Sequence, residues 1–206
     1  MNDASYCEHH NREYGAMKRI VYLHGFNSSP ASSKAQQLLA YLTKFGKAHA
    51  FDASALHHRP AFAMRRIEAK YGASHADDIT FVGSSLGGFY ATYLTEKYGF
   101  KSILVNPAVA AHIGLAAYIG EQVNFHSMEK YDLTQQHIAE WQALAVAAPQ
   151  RLERYWLMVE TGDETLDYRE AVKFYQGAKQ LVIEGGDHGF QAWEKLLPEI
   201  VQYAGL

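Results

Sequence analysis

Six short β-rich runs, each followed by helical or irregular sequence, constrain the fold more than any other feature of this chain. They fall at 19–23, 48–52, 79–83, 102–106, 155–160 and 180–184. Most are near-continuous apolar runs, such as Ile20-Val21-Tyr22-Leu23 and Tyr155-Trp156-Leu157-Met158-Val159. A strand wetted on one face alternates apolar and polar residues. An unbroken apolar run belongs to a strand covered on both faces. Helices between the strands supply that cover, as parallel pairing requires. The expectation is an α/β fold, with a compact, about six-stranded, mainly parallel sheet and helices on both faces.

The helix ends are readable. Ser29 and Pro30 have cap and first-turn chemistry, so a helix is expected from Pro30 to about Phe45, closed by Gly46. Others are expected over 61–71 and 86–98, ended by Gly72 and Gly99, and from the loop 161–167 to about Tyr175. The last helix carries Trp193, Leu196, Leu197, Ile200 and Val201, with Pro198 placed to kink it. The alternation breaks at 107–150, which reads as a short cap. One helix is expected there, over 134–147, with Ile138, Trp141, Leu144 and Ala145 on one face. Residues 1–17 are polar and aperiodic and read as a flexible leader, leaving 18–206 as a single domain.

Composition removes several function classes. A net charge of −3 gives no reason to expect nucleic acid or an anionic membrane surface. No apolar run approaches a membrane span, and the start of the chain has no apolar signal segment. Cys7 is the only cysteine, so no internal disulfide can form, and a reducing cytoplasm is the simplest location. The histidines His9-His10 and His57-His58 are adjacent pairs in polar sequence. None has a helical partner at metal-ligand spacing beside a carboxylate. No metal and no cofactor are expected.

The third run carries the chemistry. Ile79-Thr80-Phe81-Val82 leads into Gly83-Ser84-Ser85-Leu86-Gly87, and a helical pattern follows. Gly-x-Ser-x-Gly between a strand and a helix is a nucleophile elbow, a turn so sharp that it aims the serine hydroxyl outward. By that spacing Ser85, not Ser84, is the nucleophile. In an open parallel sheet ligands sit outside the carboxyl ends of the strands. Four loops there carry unusual polar residues: His24-Gly25-Phe26, Ser85, Asp163 and His188. A serine hydroxyl needs a base to take its proton, and an imidazole titrates in the right range. A carboxylate on the other ring nitrogen fixes the tautomer. His188 is the expected base and Asp163 the acid. Asp167 lies about a helical turn further on, and Asp187 abuts His188, so both rank below Asp163. The oxyanion should be met by the backbone N–H groups of Leu86 and Phe26. His24 reads as a loop-ordering residue rather than a second base.

Five stretches together resemble a known family. They are Tyr22-Leu23-His24-Gly25-Phe26-Asn27-Ser28-Ser29-Pro30, Gly83-Ser84-Ser85-Leu86-Gly87-Gly88, Val105-Asn106-Pro107-Ala108, Thr161-Gly162-Asp163-Glu164-Thr165-Leu166-Asp167-Tyr168 and Gly185-Gly186-Asp187-His188. They are similar to the small bacterial YqiA-type esterases, a compact branch of the α/β-hydrolase superfamily, over about residues 18 to 204. The resemblance implies an α/β-hydrolase fold without the usual first antiparallel strands. It implies hydrolysis of short acyl esters, and extends to acyl-CoA thioesters as an alternative. It carries the triad onto Ser85, Asp163 and His188.

The substrate expected is a small-molecule acyl ester. Tyr118, Phe125 and Met128 of the cap are the pocket candidates, whereas Trp141 sits on a periodic face and reads as packing. Asn27 and Ser28 either contact substrate or build their turn. His57, His58 and Arg59 follow the second strand at the same edge, the nearest thing to a phosphate site for coenzyme A. A binding module on an idle hydrolase scaffold is disfavoured by the full set of triad residues.

Overall fold

The computed structural model describes residues 17–206; the leader and Cys7 lie outside that range, apart from Met17. Six parallel strands form one sheet in the order β2-β1-β3-β4-β7-β8. They are β1 (Arg19–Leu23), β2 (Phe51–Asp52), β3 (Ile79–Ser84), β4 (Lys101–Val105), β7 (Tyr155–Glu160) and β8 (Lys179–Ile183). A separate antiparallel hairpin, β5 (Gly120–Val123) and β6 (Lys130–Leu133), belongs to the cap segment.

Alternate strand residues feed two cores. Ile20 and Tyr22 point to one side with Val82, Ile103 and Trp156. Val21 and Leu23 point to the other with Phe81, Leu104 and Leu157. Both faces are therefore dry, and every residue of β3 and β7 is buried, which explains their unbroken apolar sequence. Helices α1 (Ser33–Lys44) and α7 (Trp193–Tyr203) cover the first core with Leu38, Leu42, Trp193 and Ile200. Helices α2 (Pro60–Tyr71), α3 (Leu86–Tyr98) and α6 (Tyr168–Phe174) cover the second with Met64, Ile67, Phe89 and Ala171. Pro198 lies inside α7, where it removes one intrahelical donor.

Four expectations are corrected. Helix α1 starts at Ser33, not Pro30. Ser29 instead accepts the Ala31 N–H at 3.0 Å, closing a local turn that holds the chain away from helix geometry. The second strand shrinks to two residues because Ala48–Ala50 forms a 3-10 turn. The cap helix α5 (Gln135–Leu144) ends three residues short of Ala147. The cap also holds a short α4 (Ala111–Gly114) and the hairpin. The strands of that hairpin, Gly120-Glu121-Gln122-Val123 and Lys130-Tyr131-Asp132-Leu133, are too short and polar to give a period-two signal.

Candidate active site

Because all six strands of the main sheet run the same way, the loops after β1, β3, β7 and β8 meet at one rim. Ser85 stands between β3 and α3 with φ 55° and ψ −120°, a conformation costly for any residue with a Cβ. The surroundings over-determine it. The Ser85 N–H donates to the Val105 carbonyl at 3.0 Å, and its own carbonyl accepts from Gly88 (2.9 Å) and Ala108 (3.1 Å). Gly87 is required by space: a Cβ there would lie 1.9 Å from the Leu23 carbonyl oxygen. Gly25 lets the β1 loop approach as well, since a Cβ on it would meet the Ser85 Cβ at 3.3 Å.

The second part of the site comes from β7 and β8. The His188 ring Nδ1 lies 2.8 Å from Asp163 Oδ2 and 3.0 Å from Oδ1. The Asp163 side chain is 1 % exposed, and its Oδ1 also accepts the N–H groups of Thr165 and Leu166, each at 2.8 Å. A buried carboxylate with these donors stays fixed and makes Nδ1 the protonated nitrogen of a neutral ring. That leaves Nε2 as a proton acceptor. No hydrogen bond joins Ser85 Oγ to the His188 ring among the described residues; such bonds commonly tighten only on substrate. The rejected acids are occupied elsewhere. Asp167 caps α6 and pairs with Arg169, and Asp187 accepts from the Gln191 side chain at 2.9 Å.

Two residues to which the sequence assigned no role bind these parts together. Glu160, at the end of β7 and 1 % exposed, accepts three backbone N–H groups of the His188 loop. Its Oε2 takes those of Asp187 (3.0 Å) and Gln191 (2.9 Å), and its Oε1 takes that of Ala192 (2.8 Å). Asn106, with φ 40°, donates to the Asp187 and His188 carbonyls at 3.0 and 3.4 Å and accepts the Glu160 N–H at 3.0 Å. It directly follows Val105, the partner of the Ser85 N–H. The signal was available in part, as an ionisable residue ending an apolar strand. Its partners are backbone groups, which no residue pattern reveals.

Next to the Ser85 turn, a small open cleft is lined by residues including Phe26, Leu86, His58, Tyr131 and Trp141. Neither the Phe26 nor the Leu86 N–H has a hydrogen-bond partner among the described residues. His24 is buried and ties the loops together: Nδ1 contacts the Gly25 carbonyl at 2.9 Å, and Nε2 accepts the Leu56 N–H at 3.0 Å. Burial holds its pKa below the usual value. Ser84 is buried at the strand end.

The substrate candidates divide. Ser28 lines the cleft. Asn27 also borders it, but its polar atoms are spent on the hairpin: Nδ2 donates to Gln122 Oε1 (3.1 Å) and Oδ1 accepts the Tyr131 hydroxyl (2.6 Å). Its carbonyl accepts the Phe125 N–H at 2.9 Å. Tyr118 stands edge-on to Phe26 at 5.9 Å, 51 % exposed and outside the cleft wall. Phe125 and Met128, 75 % and 68 % exposed at the hairpin turn, are not part of the cleft lining. Trp141 does pack the cap onto α3, donating to the Tyr90 hydroxyl at 2.8 Å, and it forms part of the cleft wall as well.

A family model matches residues 19–205, nearly the whole described chain. The chain belongs to the Uncharacterised protein family (UPF0227), the YqiA-like group. Solved structures extend the likeness to the α/β-hydrolase fold. The ydeN gene product from B. subtilis has a TM-score of 0.67 at 13% identity, covering 92% of this chain and all of its own. The mouse alpha/beta hydrolase domain-containing protein 10 has a TM-score of 0.66 at 15% identity, covering 89% of this chain and 87% of its own. Est1E from Butyrivibrio proteoclasticus has a TM-score of 0.63 at 14% identity, covering 94% and 91%. At such identities the likeness is one of fold. Among the described residues no helix is long and apolar enough to cross a membrane.

Proposed function

We propose that this chain is a serine carboxylesterase acting on short-chain acyl esters through an acyl-serine intermediate. The single observation that carries the reading is the hydrogen bond from the His188 ring to buried Asp163, on the same rim as a serine held at φ 55°. In this reading His188 Nε2 takes the Ser85 proton as Oγ attacks the ester carbonyl. The Phe26 and Leu86 N–H groups bind the resulting oxyanion, each worth about 3–4 kcal/mol in the transition state. Collapse breaks the bond to the alcohol oxygen, which leaves with the proton from His188. Water, deprotonated by the same ring, then attacks the acyl-serine; the bond from the carbonyl carbon to Oγ breaks, Oγ takes the proton back from His188, and the acid is released.

Among acyl donors, a simple ester is favoured over an acyl-CoA. Arg59 is held bidentate by Glu140 and is not free for a phosphate. Burial and the neighbouring histidines keep His58 on the neutral side of its usual range. Ser85→Ala is expected to abolish hydrolysis of p-nitrophenyl butyrate and labelling by a fluorophosphonate, with the melting temperature within a few degrees of wild type. Activity retained in that variant refutes the reading.

A further inference from the structure

Beside the cleft, a chain of hydrogen bonds fixes the tautomer of a half-buried histidine in its lining, His58. The Thr134 N–H donates to His137 Nδ1 at 3.1 Å, so that nitrogen carries a lone pair. The proton of a neutral His137 ring then sits on Nε2, which faces His58 Nδ1 at 3.0 Å and donates to it. His58 Nδ1 is thereby the acceptor, and the His58 proton sits on Nε2. That N–H has no partner among the described residues and is not one of their buried unpaired polar atoms. The ring is held flat against Tyr131, with centroids 4.4 Å apart. The chain disfavours a second proton on either ring, because a protonated ring would bring two donors face to face. Both histidines are held below their usual pKa, with burial as the largest cause.

Glu129 lines the same cleft as His58, and its charge is felt at both His58 and Tyr131. An N–H of fixed tautomer sharing a cleft with a carboxylate is the complement of a hydroxyl, which accepts from the first and donates to the second. A carboxylate or phosphate would meet Glu129 with like charge, and an alkyl group would leave the His58 donor unpaired.

The sheet order assigns the His58 loop to one half of the substrate. His188 and Asp163 follow β8 and β7, on one side of β3; the Phe26 and His58 loops follow β1 and β2, on the other. The leaving oxygen has to face His188 to receive its proton, so the acyl chain runs toward β2. His58 lies in the loop after β2, and β2 stands two strand spacings, about 10 Å, from β3, so the end of a chain of about six atoms is the part that reaches toward the His58 loop.

We propose that the cleft selects esters whose acyl chain ends in a hydroxyl, read by the His58 Nε2–H and the Glu129 carboxylate. This rests on the esterase reading above. The test compares methyl 6-hydroxyhexanoate with methyl hexanoate, in the wild-type protein and in His58→Phe and Glu129→Ala. The ratio of the two kcat/KM values does not depend on the fraction of protein folded, so a destabilised variant still reports. The expected ratio is at least about tenfold in favour of the hydroxy ester, falling to about two or less in each variant. A wild-type ratio near one, or a ratio unmoved by either substitution, overturns the proposal. Failure on these two esters and on p-nitrophenyl butyrate together sinks the esterase reading instead. Turnover of p-nitrophenyl butyrate with neither methyl ester cleaved overturns only the subsite.

Discussion

Replacing Glu160 by Gln exchanges one oxygen for an NH2 group at nearly constant volume, yet it should disturb both stability and turnover. The carboxylate accepts three backbone N–H groups at 2.8–3.0 Å, all from residues 187 to 192. An amide has one oxygen. If that oxygen takes the Oε2 place it still serves Asp187 and Gln191, but the amide NH2 then confronts the Ala192 N–H, donor against donor. A hydrogen bond to a charged group contributes about 1.5–3 kcal/mol and a neutral one about half that; a buried donor without a partner costs about 1–3 kcal/mol. Relief of the buried charge offsets part of the loss. A net destabilisation of about 2–4 kcal/mol remains, which for a chain of this size lowers Tm by about 5–15 °C. The same loop carries His188, so a shift on the order of 1 Å should reduce kcat by about 10- to 100-fold with little change in KM. Scanning calorimetry and p-nitrophenyl butyrate kinetics, run well below the variant's Tm, measure the two effects separately. A variant melting within 2 °C of wild type with unchanged kcat refutes the positioning role of Glu160.

Other outcomes follow from the same contacts. Burial holds His24, His58 and His137 below their ordinary pKa of 6.5. The unfolded chain therefore binds more protons than the folded one below about pH 6.5, and stability is lost as pH falls from there toward the lowered values. Tm should be nearly flat from pH 8 to 7 and fall between 6.5 and 5; a Tm that rises over that lower interval contradicts the neutral histidine chain. Asn27→Ala removes two side-chain hydrogen bonds to the hairpin and leaves alanine at φ 51°. The expected cost is about 2–3 kcal/mol, read by urea unfolding, with kcat lowered as the Phe26 N–H loses its support. An unchanged urea midpoint removes the hairpin clamp from the account.

The sheet was legible because burial on both faces writes itself into composition: Tyr155-Trp156-Leu157-Met158-Val159 can hardly be anything but a central strand. The sharp turn at Ser85 was legible because it excludes side chains at Gly83 and Gly87. The hairpin was not, since its strands are short and polar and its order comes from contacts with Asn27 and Ser28 about a hundred residues away. The same distance hid the clamp role of Asn27, which sequence left undecided between substrate and turn. Phe125 and Met128 lie exposed at the hairpin turn, a placement that apolar character in a cap does not reveal. His58 and Glu160 were visible as residues but not as partners, one linked across 79 positions and the other to backbone alone.

Asn124 completes the seam between cap and body, donating to the Ser28 carbonyl at 2.9 Å beside the bonds that Asn27 makes to the hairpin. The wall that sizes the cleft and the amide that would steady the oxyanion are thus one mechanical part. A change made to admit a bulkier acyl chain would be felt as a slower chemical step. Redesign of acyl range would have to begin at Trp141, whose hydrogen bond goes to Tyr90 and which meets the Phe26 turn through a ring contact alone.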